Sequence, residues 1–141
     1  MKDAAPRIQY AALPYRLVNG RIEVLLVTSR ETRRWIIPKG WAEKAVEPHA
    51  MAAREAFEEA GVRGRVEQRP FGAYRYAKRL TANKSVPCTV TVYLLEVEEE
   101  LADWPEKKER ERRWLSPGQA ALAISESGLV EMLLRLGIPP G

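Results

Sequence analysis

Glu55, Glu58 and Glu59 occupy positions i, i+3 and i+4 of a stretch with helical character. At about 100° per residue, the three carboxylates share one face of a helix. Like charges at that spacing repel by roughly a few tenths of a kcal/mol per pair on an exposed surface. Where the face is partly enclosed, the repulsion calls for a compensating cation. Carboxylate oxygens are hard ligands suited to Mg²⁺ or Mn²⁺, which bind a few carboxylates together with substrate phosphates. Taken alone, the three glutamates describe a solvated acidic face better than a metal site. Their surroundings change that reading.

Cations are the second feature with chemical potential. Ser29, Arg30, Arg34 and Lys39 precede the glutamates, Arg75, Lys78, Arg79 and Lys84 flank a later loop, and Arg110, Arg112 and Arg113 come near the end. Guanidinium forks match phosphate oxygens in shape and charge. Taken singly, each of these residues reads as a solvated surface charge. Among the tryptophans, Trp35 and Trp114 lie in apolar strand patterns and read as core. Trp41 is the best candidate for a place beside a substrate. His49 reads as structural, and Cys88, inside the apolar run Val86 to Val97, reads as a small buried thiol.

The chain has 141 residues, 45% of them hydrophobic and 30% charged, with a formal net charge of +4. That length and composition describe one domain, residues 1–141, large enough to bury a core and too apolar for disorder. The modest positive field favours anionic partners without choosing among them. A single cysteine excludes an intrachain disulfide and a cysteine metal cage. Met1 to Pro6 lacks the apolar stretch of a secretory signal, and no run approaches the roughly 18 apolar residues of a membrane span. The expectation is a cytoplasmic protein with no membrane partner, monomeric or homodimeric.

These side chains need a frame. Ile8 to Val18 reads as a strand, Asn19-Gly20 as a tight hairpin turn, and Arg21 to Thr28 as a second strand with a buried Val24-Leu25-Leu26-Val27 core. Trp35-Ile36-Ile37 is a short strand broken by Pro38-Lys39-Gly40, and Trp41 to Glu47 reads as loop. Pro48 opens a helix that runs to Ala60 and stops at Gly61. Its Ala53, Ala56, Phe57 and Ala60 fall away from the glutamates. Arg65 to Tyr76 and Val86 to Val97 read as strands, with Ala77 to Ser85 a basic loop between them. Arg113-Trp114-Leu115 is a short strand, Ser116 caps a helix, and a last helix spans Leu129 to Leu136, ended by Gly137 to Gly141. The pattern is an α+β fold, layered helix–sheet–helix.

The stretch Gly40 to Val62 resembles the Nudix box: a glycine, five residues, a glutamate, seven residues, then Arg-Glu-apolar-x-Glu-Glu-x-Gly-apolar. The second half is complete as Arg54-Glu55-Ala56-Phe57-Glu58-Glu59-Ala60-Gly61-Val62, and Gly40 stands in register with it. One position departs from the pattern: Val46 replaces the first glutamate, so Glu47 or Glu43 is expected to pair with Arg54. The resemblance implies a Nudix-like α/β/α sandwich with a mixed central sheet. It implies metal-dependent hydrolysis of a diphosphate linkage, with Mg²⁺ or Mn²⁺ neutralising phosphate charge and acidifying water. Glu55 and Glu59 are then metal ligands, and Glu58 a ligand or the general base. Arg54 belongs to the catalytic set, and the backbone of Lys39 or Gly40 completes the metal shell.

Beyond the box the chain resembles the diphosphoinositol polyphosphate and diadenosine polyphosphate hydrolase branch. The likeness runs through Val24 to Arg30 and Arg34 to Gly40, and resumes at Leu101-Ala102-Asp103-Trp104 and Arg112-Arg113-Trp114. It implies a polyphosphorylated small-molecule substrate such as a dinucleoside polyphosphate. Ser29, Arg30, Arg34, Lys39, Trp41, Arg75, Lys84 and Arg112 are the expected substrate contacts. Two other readings stand beside it: removal of 5′ diphosphate from RNA, and a catalytically silent Nudix module that senses a ligand.

Overall fold

The computed structural model describes residues 7–137. The expected lead-in at residues 1–6 and the end of the Gly137 to Gly141 tail lie outside that range. Eight strands form one sheet: β1 (Arg7–Val18), β2 (Arg21–Thr28), β3 (Trp35–Ile36), β4 (Lys39–Trp41), β5 (Val62–Val66), β6 (Gly72–Thr81), β7 (Lys84–Glu100) and β8 (Arg112–Leu115). β1 lies parallel to β7 from Arg7↔Cys88 to Tyr15↔Glu96, while every other pairing is antiparallel, so the sheet is mixed. The helices are α1 (Pro48–Glu55), α2 (Pro117–Ala123) and α3 (Ser127–Leu136). Among the described residues no helix is long and apolar enough to cross a membrane.

The sheet separates two cores. On one face α1 and the turn after it pack Ala52, Ala56 and Ala60 against Ala12, Leu25, Val27 and Leu95. Small side chains let the helix approach the sheet closely. On the other face α2 and α3 bring Ala120, Leu129, Met132 and Leu133 onto Leu13, Leu26, Val90 and Val92. This is the expected helix–sheet–helix layering. Alternation along β7 feeds both cores, with Val90 and Val92 facing one and Tyr93 and Leu95 the other.

Local signals in the chain explain the connections. Asn19 and Gly20 take φ of 53° and 79°, the positive values a type I′ hairpin turn demands. Pro48 starts α1. Ser116 and Gln119 form a reciprocal capping box on α2.

Four expectations need correction. Lys39, Gly40 and Trp41 form a strand, β4, because they find a partner in Gln9 to Ala11 of β1. Arg65 to Tyr76 is not continuous: β5 ends at Val66 and β6 begins at Gly72, parted by a segment containing Pro70, which cannot donate to a ladder. The basic loop at 77–85 is instead the tip of a β6–β7 hairpin, paired out to Thr81↔Lys84. Finally, α1 keeps α-helical geometry only to Glu55, and Ala56–Ala60 continues as a π-helical turn. Ala52, rather than Ala53 or Phe57, takes the buried place beside Ala56 and Ala60.

Candidate active site

Glu55 and Glu59 stand one turn apart at the junction of α1 and the π-helical turn. They are 9% and 7% exposed, and no other carboxylate among the described residues is buried. The alanine stripe fixes the helix on the sheet, which aims the opposite edge at β4. There Gly40 lies against Glu55: a Cβ at that position would come within 2.6 Å of the Glu55 Cδ and 2.8 and 2.9 Å of its oxygens. The Lys39 N–H donates to Glu59 Oε1 at 3.4 Å. Burial pushes the Glu55 carboxyl up to about 8, and the charge of Glu59, a hydrogen bond between the two carboxyls and the charge of Glu58 act in the same direction. Burial raises Glu59 too, opposed chiefly by the Arg110 guanidinium. The metal-free pair therefore retains a proton that a cation would displace.

The loop leading into α1 is braced by an ion pair between Arg54 and Glu43, so Glu43 rather than Glu47 does the work of the glutamate replaced by Val46. The far end of the helical segment is closed differently. Gly61 caps it at φ 67°. The Trp104 indole donates to the Glu59 carbonyl at 3.1 Å. Arg112 donates to the carbonyls of Ala60 at 2.9 Å, Gly61 at 3.3 Å and Leu101 at 2.7 Å. Its guanidinium lies over the Trp104 ring, 4.0 Å from the centroid.

A cavity of about 1160 Å³ opens above the Glu55–Glu59 pair. Its walls come from the Ser29–Arg34 loop, β4, the β6–β7 hairpin from Tyr76 to Ser85, and the segment before β8. Arg30, Arg34, Lys39, Lys78, Arg79 and Arg110 bring cations to it. Arg34, Lys39, Lys78 and Arg79 take part in no ion pair among the described residues. Burial pulls the Lys39 ammonium down, and its Nζ lies 5.4 Å from the Tyr76 ring centroid. Tyr76 in turn donates to Gln9 Oε1 at 2.6 Å.

Of the residues singled out in the sequence, the structure gathers Glu55, Glu59, Lys39, Gly40, Ser29, Arg30, Arg34 and Trp41 around this cavity. Others lie elsewhere. Arg112 is committed to backbone carbonyls beneath Trp104 and does not line the cavity. Arg75 lines a separate shallow hollow, and Lys84 lies outside both. Glu58 is only half-buried and off the cavity lining, with its charge felt at Glu55. Arg54 braces Glu43 and does not line the cavity. Sequence reasoning missed Gln9, Tyr76 and Glu106, and gave Arg110 no place above its neighbours. The one signal for Glu106 and Arg110 was their i, i+4 spacing, which the structure uses for an ion pair at 2.8 Å.

The donor set fits a hard divalent ion. Two buried carboxyl groups, hydrogen-bonded to one another, are pressed against a strand backbone and open on a cavity. Among the described residues no group of three His, Cys, Asp or Glu is assembled for a metal. A metal here would draw on Glu55 and Glu59, with phosphate or water filling the shell as Mg²⁺ prefers.

The chain is 34% identical over 130 residues to Nudix hydrolase 12, mitochondrial, of Arabidopsis thaliana, covering 81% of this chain and 64% of that protein. It is 40% identical over 95 residues to diphosphoinositol polyphosphate phosphohydrolase 3-beta of Bos taurus, covering 65% of this chain and 54% of that protein. It thus spans between about half and two thirds of the length of these relatives. The fold superposes on Caenorhabditis elegans Ap4A hydrolase with a TM-score of 0.70 at 18% identity, covering 94% and 96% of the two chains. It also superposes on the Nudix domain of Shewanella oneidensis NrtR complexed with ADP ribose, with a TM-score of 0.68 at 13% identity over 95% and 90%. The Nudix domain family profile matches residues 8–136 and takes in Gly40, the glutamate pair and Gly61, and the chain belongs to the Nudix family.

Proposed function

We propose that this protein hydrolyses a phosphoanhydride linkage in a small, polyphosphorylated molecule with the help of Mg²⁺ or Mn²⁺. The observation that carries this reading is the buried Glu55–Glu59 pair at the floor of a cavity whose walls hold several unpaired cations. The floor suits a divalent ion and the walls suit phosphates. A bound ion supplies charge neutralisation and a lowered pKa for water. The protein's own groups do the rest. Gly40 leaves room for the Glu55 carboxylate, the Lys39 N–H orients Glu59, and Arg54 with Glu43 braces the loop between them. Arg34, Lys78 and Arg79 are free to hold the non-reacting phosphates.

The aromatic rings near the cavity favour phosphates over a stacked base as the bulk of its contents. Lys39 lies over Tyr76, while Arg7 and Lys78 approach Trp41 at 5.8 and 5.9 Å. Relatives named for diphosphoinositol polyphosphates and a fold neighbour named for Ap4A both concern substrates with several phosphates. The test is a phosphate-release screen over inositol pyrophosphates, dinucleoside polyphosphates, nucleoside triphosphates and nucleotide sugars, each with Mg²⁺ and with Mn²⁺. The polyphosphorylated classes should turn over fastest. No turnover of any compound with either metal would overturn the reading.

A further inference from the structure

Arg110 is the cation that touches the glutamate pair, and its side chain is only 6% exposed. Its Nε donates to Glu106 Oε1 at 2.8 Å, and its NH1 donates to the Thr28 carbonyl at 3.0 Å. Its NH2 stands 3.6 Å from Glu59 Oε2. The first two contacts are directed hydrogen bonds, whereas the third is too long for one and acts through charge. Both anchors, the end of β2 and the segment before β8, lie outside the helix that carries Glu59. Loss of the Glu59 contact therefore leaves the guanidinium in place. A guanidinium has five N–H donors, and two are used by the anchors. The remainder make no directed hydrogen bond among the described residues, and Arg110 helps to line the cavity.

A divalent ion at Glu55 and Glu59 would meet this fixed positive charge beside it. With Glu59 engaged by such an ion, Arg110 would keep Glu106 as its one ion-pair partner and lose the charge that faces it across the cavity floor. A substrate phosphate is the anion that can replace it. We propose that Arg110 is an internal counter-cation that couples metal to substrate: it neutralises Glu59 in the metal-free protein, opposes metal binding there, and turns its charge to a substrate phosphate once the metal is bound. Linkage makes the coupling reciprocal, so phosphate bound at Arg110 eases metal binding by the same factor. Arg110 is in this sense a positioning residue for charge. The proposal rests on the hydrolase reading of the cavity.

The experiment is Mn²⁺ binding to the substrate-free protein by electron paramagnetic resonance, for wild type, Glu59→Gln, Arg110→Gln and Arg110→Lys. Inorganic pyrophosphate binding at saturating Mg²⁺ is measured alongside. Glu59→Gln should lose most Mn²⁺ affinity. Arg110→Gln should bind Mn²⁺ about tenfold more tightly than wild type, because a neighbouring positive charge is gone, and should bind pyrophosphate several-fold more weakly. Arg110→Lys keeps the charge and should bind Mn²⁺ within about twofold of wild type. If Glu59→Gln loses Mn²⁺ but Arg110→Gln binds it no more tightly than wild type, the counter-cation role is wrong and the hydrolase reading stands. If wild type binds no Mn²⁺, or Glu59→Gln binds it unchanged, both fail. Should Arg110→Gln not fold, Arg110→Lys decides: a loss of Mn²⁺ affinity beyond about tenfold would show that Arg110 merely holds Glu59 in place, and would overturn the proposal.

Discussion

At Gly40 the backbone lies against a carboxylate that faces a cavity, while at Gly61 it lies under an indole and a guanidinium that seal it. Both glycines bound the same helical segment, and both leave no room for a Cβ: 2.6 Å to Glu55 Cδ at one, 2.6 Å to Trp104 Cδ2 at the other. What they exclude differs. A methyl group at Gly40 would displace a residue that holds charge, and one at Gly61 would displace residues that hold the fold. The same residue type thus serves chemistry at one end of the segment and stability at the other.

That contrast can be broken at either end. The largest effect is expected at the sealed end. Arg112→Ala strips the carbonyls of Ala60 and Leu101 of the guanidinium donor, leaves the Gly61 carbonyl with the Leu101 N–H alone, and uncovers Trp104. The loss of stability should be about 3 kcal/mol by denaturant unfolding. The KM of the surviving folded enzyme should stay within about twofold, since a sealed residue touches no substrate. A raised KM with unchanged stability would return Arg112 to the substrate contacts. At the open end, Gly40→Ala should keep the melting temperature and lower kcat by roughly 10- to 100-fold, because a ligand moved by a fraction of an ångström costs that much. Gly61→Ala should do the reverse, with a stability loss of about 1–2 kcal/mol from the positive φ and the crowding under Trp104.

A pH series sharpens the open end. The Glu55 carboxyl sits at about 8 in the folded chain against 4.5 as an ordinary glutamate, so the folded state binds the extra proton. In EDTA, stability should fall as pH rises from about 4.5 to about 8 and level off above that. Added Mg²⁺ should restore progressively more of it across the same window. Melting curves that are flat with pH in EDTA would contradict a proton held by the pair. The smallest effect belongs to the brace. Glu43→Gln removes half of an exposed pair, so it should cost about 0.5 kcal/mol or less in stability and only a few-fold in kcat.

The floor of the site was legible because helical period and fixed spacing speak directly: Glu55 and Glu59 one turn apart, Gly61 at the stop, Gly40 upstream. The hairpin at Asn19-Gly20 was legible for the same local reason. The walls depend on partners distant in sequence. β4 exists because Gln9 to Ala11 pairs with it, which nothing in Lys39-Gly40-Trp41 announces. The β6–β7 tip turns at Ala82 and Asn83 without a glycine, so it read as a loop. Arg110 and Arg112 are the sharpest case. Two residues apart and identical in type, they part company because Arg112 meets the carbonyls at the helix end and Arg110 meets Glu106, Thr28 and the cavity. Glu58 illustrates the limit of the helical wheel: it shares the glutamate face by spacing, yet it sits in the π-helical turn, where α-helical periodicity no longer holds, and lies off the cavity lining.

Glu59, buried beside Glu55, is read here as a metal ligand on which the reaction depends. Glu59→Gln tests it most directly, with phosphate release measured at saturating Mg²⁺ and melting measured in EDTA. A fall in kcat/KM on the order of 10²-fold or more is expected, with a metal-free melting temperature close to that of the wild type, since the amide oxygen can still accept from the Lys39 N–H and the cost of burying a carboxylate is removed. Activity within twofold of wild type, or lost activity explained by a collapsed melting temperature, would contradict it.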